Sequence, residues 1–219
     1  MRRLLRLALL LPLVIFAAVL ALGLVYIVVP PVSTLMLGRW VTLRSAERTY
    51  IPLSEISPHL TAAVVASEDA KFCSHGGVDW GALREVVEDA DDGGPSRGAS
   101  TIPMQTAKNL FLWTSRSYVR KALELPIALY LDLIWSKRRV LEVYLNIAEW
   151  GDGVFGAEAA ARRHFGKSAR DLNRREAALL ATSLPNPIAR IASRPGTRQR
   201  ALAGIIQGRM GDVELGCLS

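Results

Sequence analysis

Cysteine and histidine are scarce in this 219-residue chain, with two and three copies respectively, and no CxxC or HxxxH spacing occurs. That argues against a metal cage built from the chain's own ligands. There is no internal repeat, no low-complexity tract and no alternation of strand and helix patterns, which excludes a solenoid and a doubly wound parallel sheet. Cys73 and Cys217 could pair in an exported domain, but nothing in the sequence brings them together and the expectation is against a disulfide.

Charge is missing from one long run, Leu7 to Val29. As a helix rising ~1.5 Å per residue, this run spans the ~30 Å hydrocarbon core of a bilayer with a little tilt. A cleaved signal peptide competes, since Arg2, Arg3 and Arg6 form a basic tail and Ala21-Leu-Gly23 resembles a small-x-small cleavage site. Signal cores run only about 7–15 residues, so length favours an uncleaved anchor. The basic tail puts the N-terminus in the cytoplasm and exports the rest, although Arg39 and Arg44 reduce the asymmetry. The expected organisation is a cytoplasmic tail over 1–6, a transmembrane helix over 7–29, a juxtamembrane linker over 30–52 with a short strand at Trp40–Leu43, and one domain over 53–219.

What is abundant is positive charge, +7 net with pI ≈ 9.8, concentrated after the anchor in Arg116 to Lys121 and Lys137 to Arg139. A basic surface held at a membrane favours anionic headgroups, phosphates or an acidic polymer. Nucleic acid belongs to the wrong compartment for this topology.

Beyond the linker the pattern is helical. Ser57-Pro58 starts a helix running to about Ser67, by a capping hydroxyl and a proline at the first position. Further helices are expected over Val78–Ala90, after a cap in Gly98–Thr101, over Tyr118–Leu133, Lys137–Ile147, Val154–His164, Leu172–Ser183 and Arg198–Met210, with Asp91-Asp-Gly-Gly-Pro95 as a loop. The domain reads as mainly α.

Four segments carry chemistry. In EDAKFCSHGGVD, from Glu68 to Asp79, adjacent carboxylates follow an apolar helical stretch, where they cannot both be comfortably charged. Taken alone, a solvated helix end explains the pair. In the segment from Arg97 to Leu112, Ser100 and Thr101 sit at a helix N-terminus, and Gln105, Lys108 and Asn109 follow at i, i+3, i+4 spacing. This suits a phosphate, and equally a capped helix with a polar face. From Arg116 to Glu124, Arg120 and Lys121 pair with Glu124 at i+4 and i+3, routine on helix surfaces. Beside Lys108, they form a cation cluster able to hold a diphosphate and stabilise its departure. From Lys137 to Gly151, Glu142, Asn146 and Glu149 read as structural hydrogen-bonding residues in a core helix, as do His75 and His164.

In order, EDAKFCSHGGVD, RGASTIPMQTAKNLFLW, RKALE, KRRVLEVYLNIAEWGDGVFGAEAAARRHFGKSA and EAALLATSLPNP resemble the family 51 peptidoglycan glycosyltransferases of class A penicillin-binding proteins, in their monofunctional biosynthetic form. The similarity covers about Leu53 to Pro187, with no room afterwards for a transpeptidase domain. The resemblance implies a lysozyme-like, mainly helical fold that polymerises lipid II by inverting transfer from an undecaprenyl-diphosphate donor to a 4-hydroxyl. It implies Glu68 as general base and Glu124 as the second glutamate, assisting the diphosphate directly or through a divalent cation, Mg²⁺ or Mn²⁺, held mainly by the substrate. Lys108, Arg116, Arg120 and Lys121 match the donor-side cations. Ser100, Thr101, Gln105 and Asn109 match the polar lining, and Asp69 the acid beside the base. Lys71 stands where the family has Arg, Pro103 where it has Thr or Ser, and Met104 where it has Gln, which weakens the expected grip on the donor. The implied location is the inner membrane with a periplasmic catalytic domain, and the implied partners are lipid II, the growing strand, the membrane and other cell-wall synthesis proteins. Phe111, Leu112 and Trp113 either dip into the headgroup zone or pack in the core.

Two other readings stand beside this one. Pro103 and Met104 would suit a catalytically weakened scaffold member, and the fold alone would suit a lysozyme-like hydrolase. The cation cluster opposes hydrolysis, since a glycosidase needs no diphosphate site.

Overall fold

The computed structural model describes residues 2–91, 98–115 and 117–219, without the side chains of residues 2–9, 87, 90 and 91. Its described residues are mainly helical, with one small sheet.

The first helix, α1 (Arg2–Val25), ends four residues before the expected limit, and Tyr26 to Val28 form a turn ahead of Pro30-Pro31. Proline drives its predecessor out of the α region, so the apolar run outlasts the helix. Among the described residues, no helix is long and apolar enough to cross a membrane. The span expected over 7–29 begins within residues 1–9, whose side chains lie outside the described residues, and the tail expected over 1–6 is helical from Arg2 onward as part of α1.

Residues 30–52, expected as a linker, are folded onto the domain. Ser33 caps α2 (Thr34–Val41) by accepting from the Met36 N–H, Met36 is buried, and the Thr34 hydroxyl donates to the Asn109 and Leu112 carbonyls. Trp40–Leu43 is therefore the end of a helix and the turn beyond it, not a strand. The β-branched residues Val41 and Thr42 suggested a strand, but the Ser33 cap and the packing of Met36 decide for helix. The strand lies later: β1 (Glu47–Arg48) pairs in parallel with β3 (Val154–Phe155), which pairs antiparallel with β2 (Glu149–Gly151).

The core is built around α3 (Pro58–Glu68), capped by Ser57 and buried from Leu60 to Ala66. An eleven-residue helix with apolar residues all round must be enclosed. It packs against α9 (Arg174–Ser183) and α10 (Thr197–Arg209), while α5 (Ile102–Phe111) packs against α6 (Tyr118–Ile134) and α7 (Lys137–Ile147). Along the chain, α4 (Trp80–Asp91) falls between α3 and α5, and α8 (Ala157–Phe165) between α7 and α9. Glu142 and Asn146 on α7 satisfy buried backbone: Glu142 accepts from the Leu53 N–H at 2.9 Å, and Asn146 bonds the N–H and carbonyl of Ile51. Glu149 likewise accepts from the Gly153 N–H, and His164 bonds the Trp150 carbonyl at 3.1 Å.

Helix α1 is docked on α6 through Gly23. A Cβ there would stand 2.6 Å from Cε1 of Tyr130; the Tyr130 hydroxyl donates to the Leu20 carbonyl at 2.6 Å and Trp135 Nε1 to the Gly23 carbonyl at 2.8 Å.

Cys73 and Cys217, expected to stay apart, form a disulfide across 144 residues. The C-terminal 3-10 turn Gly216–Leu218 packs on α7, where Arg138 donates to the Leu218 carbonyl at 2.9 Å, and this carries Cys217 to the loop after α3.

Candidate active site

Glu68 is the last residue of α3, and the helix delivers it from an apolar core into a cleft. Burial pushes its carboxyl above the usual range, opposed by hydrogen bonds from Gln105 and Ser67 and by the charges of Lys108 and Arg190. Gln105 Nε2 donates to the carboxylate at 3.0 Å, and the Gln105 amide oxygen accepts the Tyr144 hydroxyl at 3.0 Å. Full burial and the nearby Glu68 and Asp69 hold that phenol far above its ordinary pKa, so it serves as a neutral donor.

Asp69 lies at the cleft wall and is buried, with its carboxylate engaged by the protein. Its carboxylate accepts His75 Nε2 at 2.9 and 3.0 Å and the Ile102 N–H, in the first turn of α5, at 2.9 Å. It thus ties the loop after α3 to the helix carrying Gln105 and Lys108. Thr101 adds a second tie: its hydroxyl donates to the Gly77 carbonyl at 2.6 Å and accepts from the Met104 N–H as the α5 cap. Gly77 takes a left-handed φ of 83° and lies so close to α6 that a Cβ would meet the Ala128 carbonyl oxygen at 3.0 Å.

On the neighbouring turn of α6, Glu124 is 2 % exposed. Arg120 pairs with one of its oxygens, and Lys121 with the other at 3.2 Å. Lys121 Nζ also donates to the Ser100 hydroxyl at 2.5 Å, and Arg120 Nε to the Ser115 carbonyl at 2.8 Å. Burial lowers Lys108, reinforced by Arg120 and partly offset by Glu68. Burial, Arg120 and Lys108 together bring Lys121 down to about 8. Partly desolvated cations crowded in this way favour an anion.

A cleft of ≈ 210 Å³ is lined by Glu68, Asp69, Lys71, Asp79, Ser100 and Thr101 among others. The structure therefore gathers Glu68, Asp69, Lys71, Ser100 and Thr101 in one place, joins Gln105 through Glu68, and joins Lys121, Arg120 and Glu124 through Ser100. Lys71 is largely exposed, 3.8 Å from Asp79. Asn109 is buried, and its backbone carbonyl takes the Thr34 hydroxyl of α2. Arg116 lies outside the described residues. Met104 is fully buried, so its side chain faces the core and replaces no cleft donor, contrary to expectation; Pro103 is buried beside it. Among the described residues no group of three or more His, Cys, Asp or Glu could hold a metal ion.

Three contributors escaped the sequence reading. Tyr144 lies on the buried face of α7, where a phenol needs a hydrogen-bond partner and is a signal in itself. Lys137, first residue of α7, donates to the His75 carbonyl at 2.6 Å and pairs with Asp132. Arg190, whose Nη1 donates to the Thr182 carbonyl at 3.0 Å, acts on Glu68 by charge. An isolated Arg in a proline-rich turn gives no sequence signal.

Residues 36–208 match the family of transglycosylases. A biosynthetic peptidoglycan transglycosylase of Rhizobium meliloti is 60% identical over 181 residues, covering 83% of this chain and 77% of the relative. Its namesake in Agrobacterium fabrum is 59% identical over 179 residues, 82% of this chain and 79% of the relative. That of Rhodopseudomonas palustris strain HaA2 is 54% identical over 217 residues, 98% and 96% respectively. With a family match over most of its length and relatives this similar over more than three quarters of their chains, the protein belongs to the transglycosylase family.

Proposed function

We propose that this chain is a monofunctional peptidoglycan glycosyltransferase that polymerises lipid II into glycan strands. The observation that carries the reading is the pairing of a buried carboxylate of raised pKa, Glu68, with the desolvated cations Lys108, Arg120 and Lys121.

Glu68 accepts the proton of the acceptor 4-hydroxyl as its oxygen bonds to the anomeric carbon of the donor. The bond from that carbon to the diphosphate breaks on the opposite face, and the electron pair leaves with the diphosphate. Inversion follows from this geometry. A raised pKa brings the base closer to neutral pH, where removal of a hydroxyl proton needs it. Lys108, Arg120 and Lys121 take up the charge that develops on the diphosphate, and Glu124 holds Arg120 and Lys121 in place. Ser100 and the exposed Lys71 complete the polar lining, with Arg116 and Asn109 as further donor-side residues.

Arg120 and Lys121 lie against the Glu124 oxygens, and among the described residues no group of three or more His, Cys, Asp or Glu could hold a metal ion. A Mg²⁺ or Mn²⁺ ion in this reading belongs to the substrate diphosphate and supplies charge neutralisation there.

The reading places α1 in the inner membrane as a single span, with the N-terminus in the cytoplasm and the catalytic domain in the periplasm. Support comes from the apolar run, from the exposed Leu37, Trp40, Val41 and Leu43 around α2, and from exposed Trp113, Tyr118, Val119 and Leu133. Of the trio at the end of α5, Phe111 stacks on Tyr26, Leu112 is buried and only Trp113 faces out. A disulfide suits an oxidising compartment. The growing glycan strand, and other cell-wall synthesis proteins, are its partners in this reading.

Incubating the full-length protein with labelled lipid II and Mg²⁺ or Mn²⁺ tests the proposal. Long glycan strands are expected, and none from Glu68→Gln. Absence of polymer in every detergent and metal condition would sink it, and shortening of preformed glycan would point to a hydrolase instead.

A further inference from the structure

We infer that the Cys73–Cys217 disulfide makes the C-terminal peptide a positioning element of the active site, holding the loop that sets Glu68 and α5 in register. The inference builds on the role proposed for Glu68, but its first readout does not depend on activity.

Cys73 lies five residues after Glu68, in the loop whose other members fix the site. Phe72, beside it, is fully buried, with Lys137 Nζ 4.9 Å from the ring centroid. Two residues further, His75 grips both oxygens of Asp69, and Asp69 holds the Ile102 N–H. Gly77 then accepts the Thr101 hydroxyl. Each bond from loop to α5 therefore leaves from a residue within four of Cys73. Helix α5 in turn carries Gln105, the amide that meets Glu68.

The other end of the bridge is equally fixed. Cys217 sits in the 3-10 turn Gly216–Leu218, which packs on α7 and is held by Arg138. Helix α7 supplies Lys137 to the His75 carbonyl and Tyr144 to Gln105. The bridge thus closes a circuit from the loop through the C-terminus to α7, then back to the loop through Lys137 and to Glu68 through Tyr144 and Gln105. Opening the bridge leaves Lys137 to hold the loop on that side without a covalent tie. The loop and the α5 N-terminus gain freedom, and the Gln105 bond to Glu68 loosens.

A bridge of this kind makes catalysis redox-sensitive. A dithiol reductant reduces the disulfide to two thiols while being oxidised itself, and air or a disulfide oxidant reverses the step.

The test compares full-length oxidised protein, the same protein reduced with a dithiol, and the Cys73→Ala/Cys217→Ala variant, all well below their melting temperatures. Amide exchange at Ile102 is measured first. Protection is expected to fall roughly tenfold in both bridge-free forms, while α9 and α10 stay as protected as before. In lipid II polymerisation, kcat is expected to fall about tenfold with KM within about twofold, and reoxidation should restore the reduced sample but not the double variant. The acid limb of the kcat profile should also move to higher pH, because Glu68 loses a hydrogen bond that favours its charged form. A staple that only stabilises the fold would change melting and leave all three unchanged at low temperature, and that outcome overturns the inference. If even the oxidised protein makes no polymer, the polymerase reading falls, and the exchange at Ile102 still decides the positioning role.

Discussion

Gln105 stands between Tyr144 and Glu68 with both halves of its amide committed: Nε2 donates to the carboxylate and Oε1 accepts the phenol, each at 3.0 Å. A phenol held far above its usual pKa stays a donor, so it fixes which end of the amide faces the base. The flipped amide would put a carbonyl oxygen against a carboxylate. The base is therefore oriented from the core side, leaving the cleft side for substrate.

Gln105→Leu removes the donor while keeping bulk. Burial then acts on Glu68 with less opposition, so its pKa rises further above the carboxylate range. The acid limb of kcat is expected to shift upward, with kcat at neutral pH about tenfold lower. Tyr144→Phe should give a smaller shift in the same direction and cost about 1 kcal/mol of stability in urea unfolding, the net worth of an ordinary hydrogen bond. An unchanged acid limb in Gln105→Leu would show that the amide does not tune the base.

Much of this framework was legible in the sequence because local physics specifies it. Ser57-Pro58 begins the helix that its capping hydroxyl and proline predict. The acidic pair at the end of an apolar helix was conspicuous, but by itself it read equally as a solvated helix end; the burial of Glu68 and its bond from Gln105 come from the packing of α5 beside it. The bridge was not legible, because pairing across 144 residues depends on where the C-terminal turn packs. Nor was the turn of Met104 into the core, where a single residue's facing is set by the packing of α5 on α6 and α7. The short strand at Glu47–Arg48 exists only through its partner β3, over a hundred residues later.

Donor binding should weaken on the alkaline side. Lys121 titrates near 8 in the free protein because burial and its cationic neighbours disfavour its charge. A bound diphosphate stabilises the charged form and raises that pKa, so binding near pH 8 takes up protons and affinity falls as pH rises through 8. KM for the donor is expected to climb above pH 8, and calorimetry in buffers of different ionisation enthalpy should report proton uptake. Lys121→Arg, permanently charged, should flatten this alkaline dependence while losing some affinity through its different geometry. A flat KM between pH 7 and 9 in the parent protein would exclude Lys121 as a diphosphate ligand.

Reduction should also lower stability. Closing a loop of well over a hundred residues is worth about 4–5 kcal/mol in the chain-entropy treatment, with measured bridges usually giving about 2–4. For a domain of this size, each kcal/mol shifts melting by about 2–4 °C, so a fall of roughly 10 °C is expected on reduction. Scanning calorimetry with and without reductant measures it, and coincident melts would mean that the reduced chain is held equally well without the covalent link.

The two glycines of the Glu68 loop should respond differently to a single methyl group. At Gly77 the backbone is left-handed, and a Cβ would press on the Ala128 carbonyl oxygen at 3.0 Å and on Asp132 Cβ at 3.1 Å. At Gly76 the nearest atom, an Asp132 carboxylate oxygen, is 3.9 Å away. Gly77→Ala therefore carries a backbone cost of about 1–3 kcal/mol and a steric push off α6. That push moves the carbonyl to which Thr101 donates, and with it the N-terminus of α5. Gly76→Ala leaves both in place. Gly77→Ala is expected to melt several degrees lower and to lose kcat, while Gly76→Ala stays close to the parent in both. If the two variants prove indistinguishable, the contact between loop and α6 does not set the position of α5, and the Thr101–Gly77 bond is incidental to catalysis.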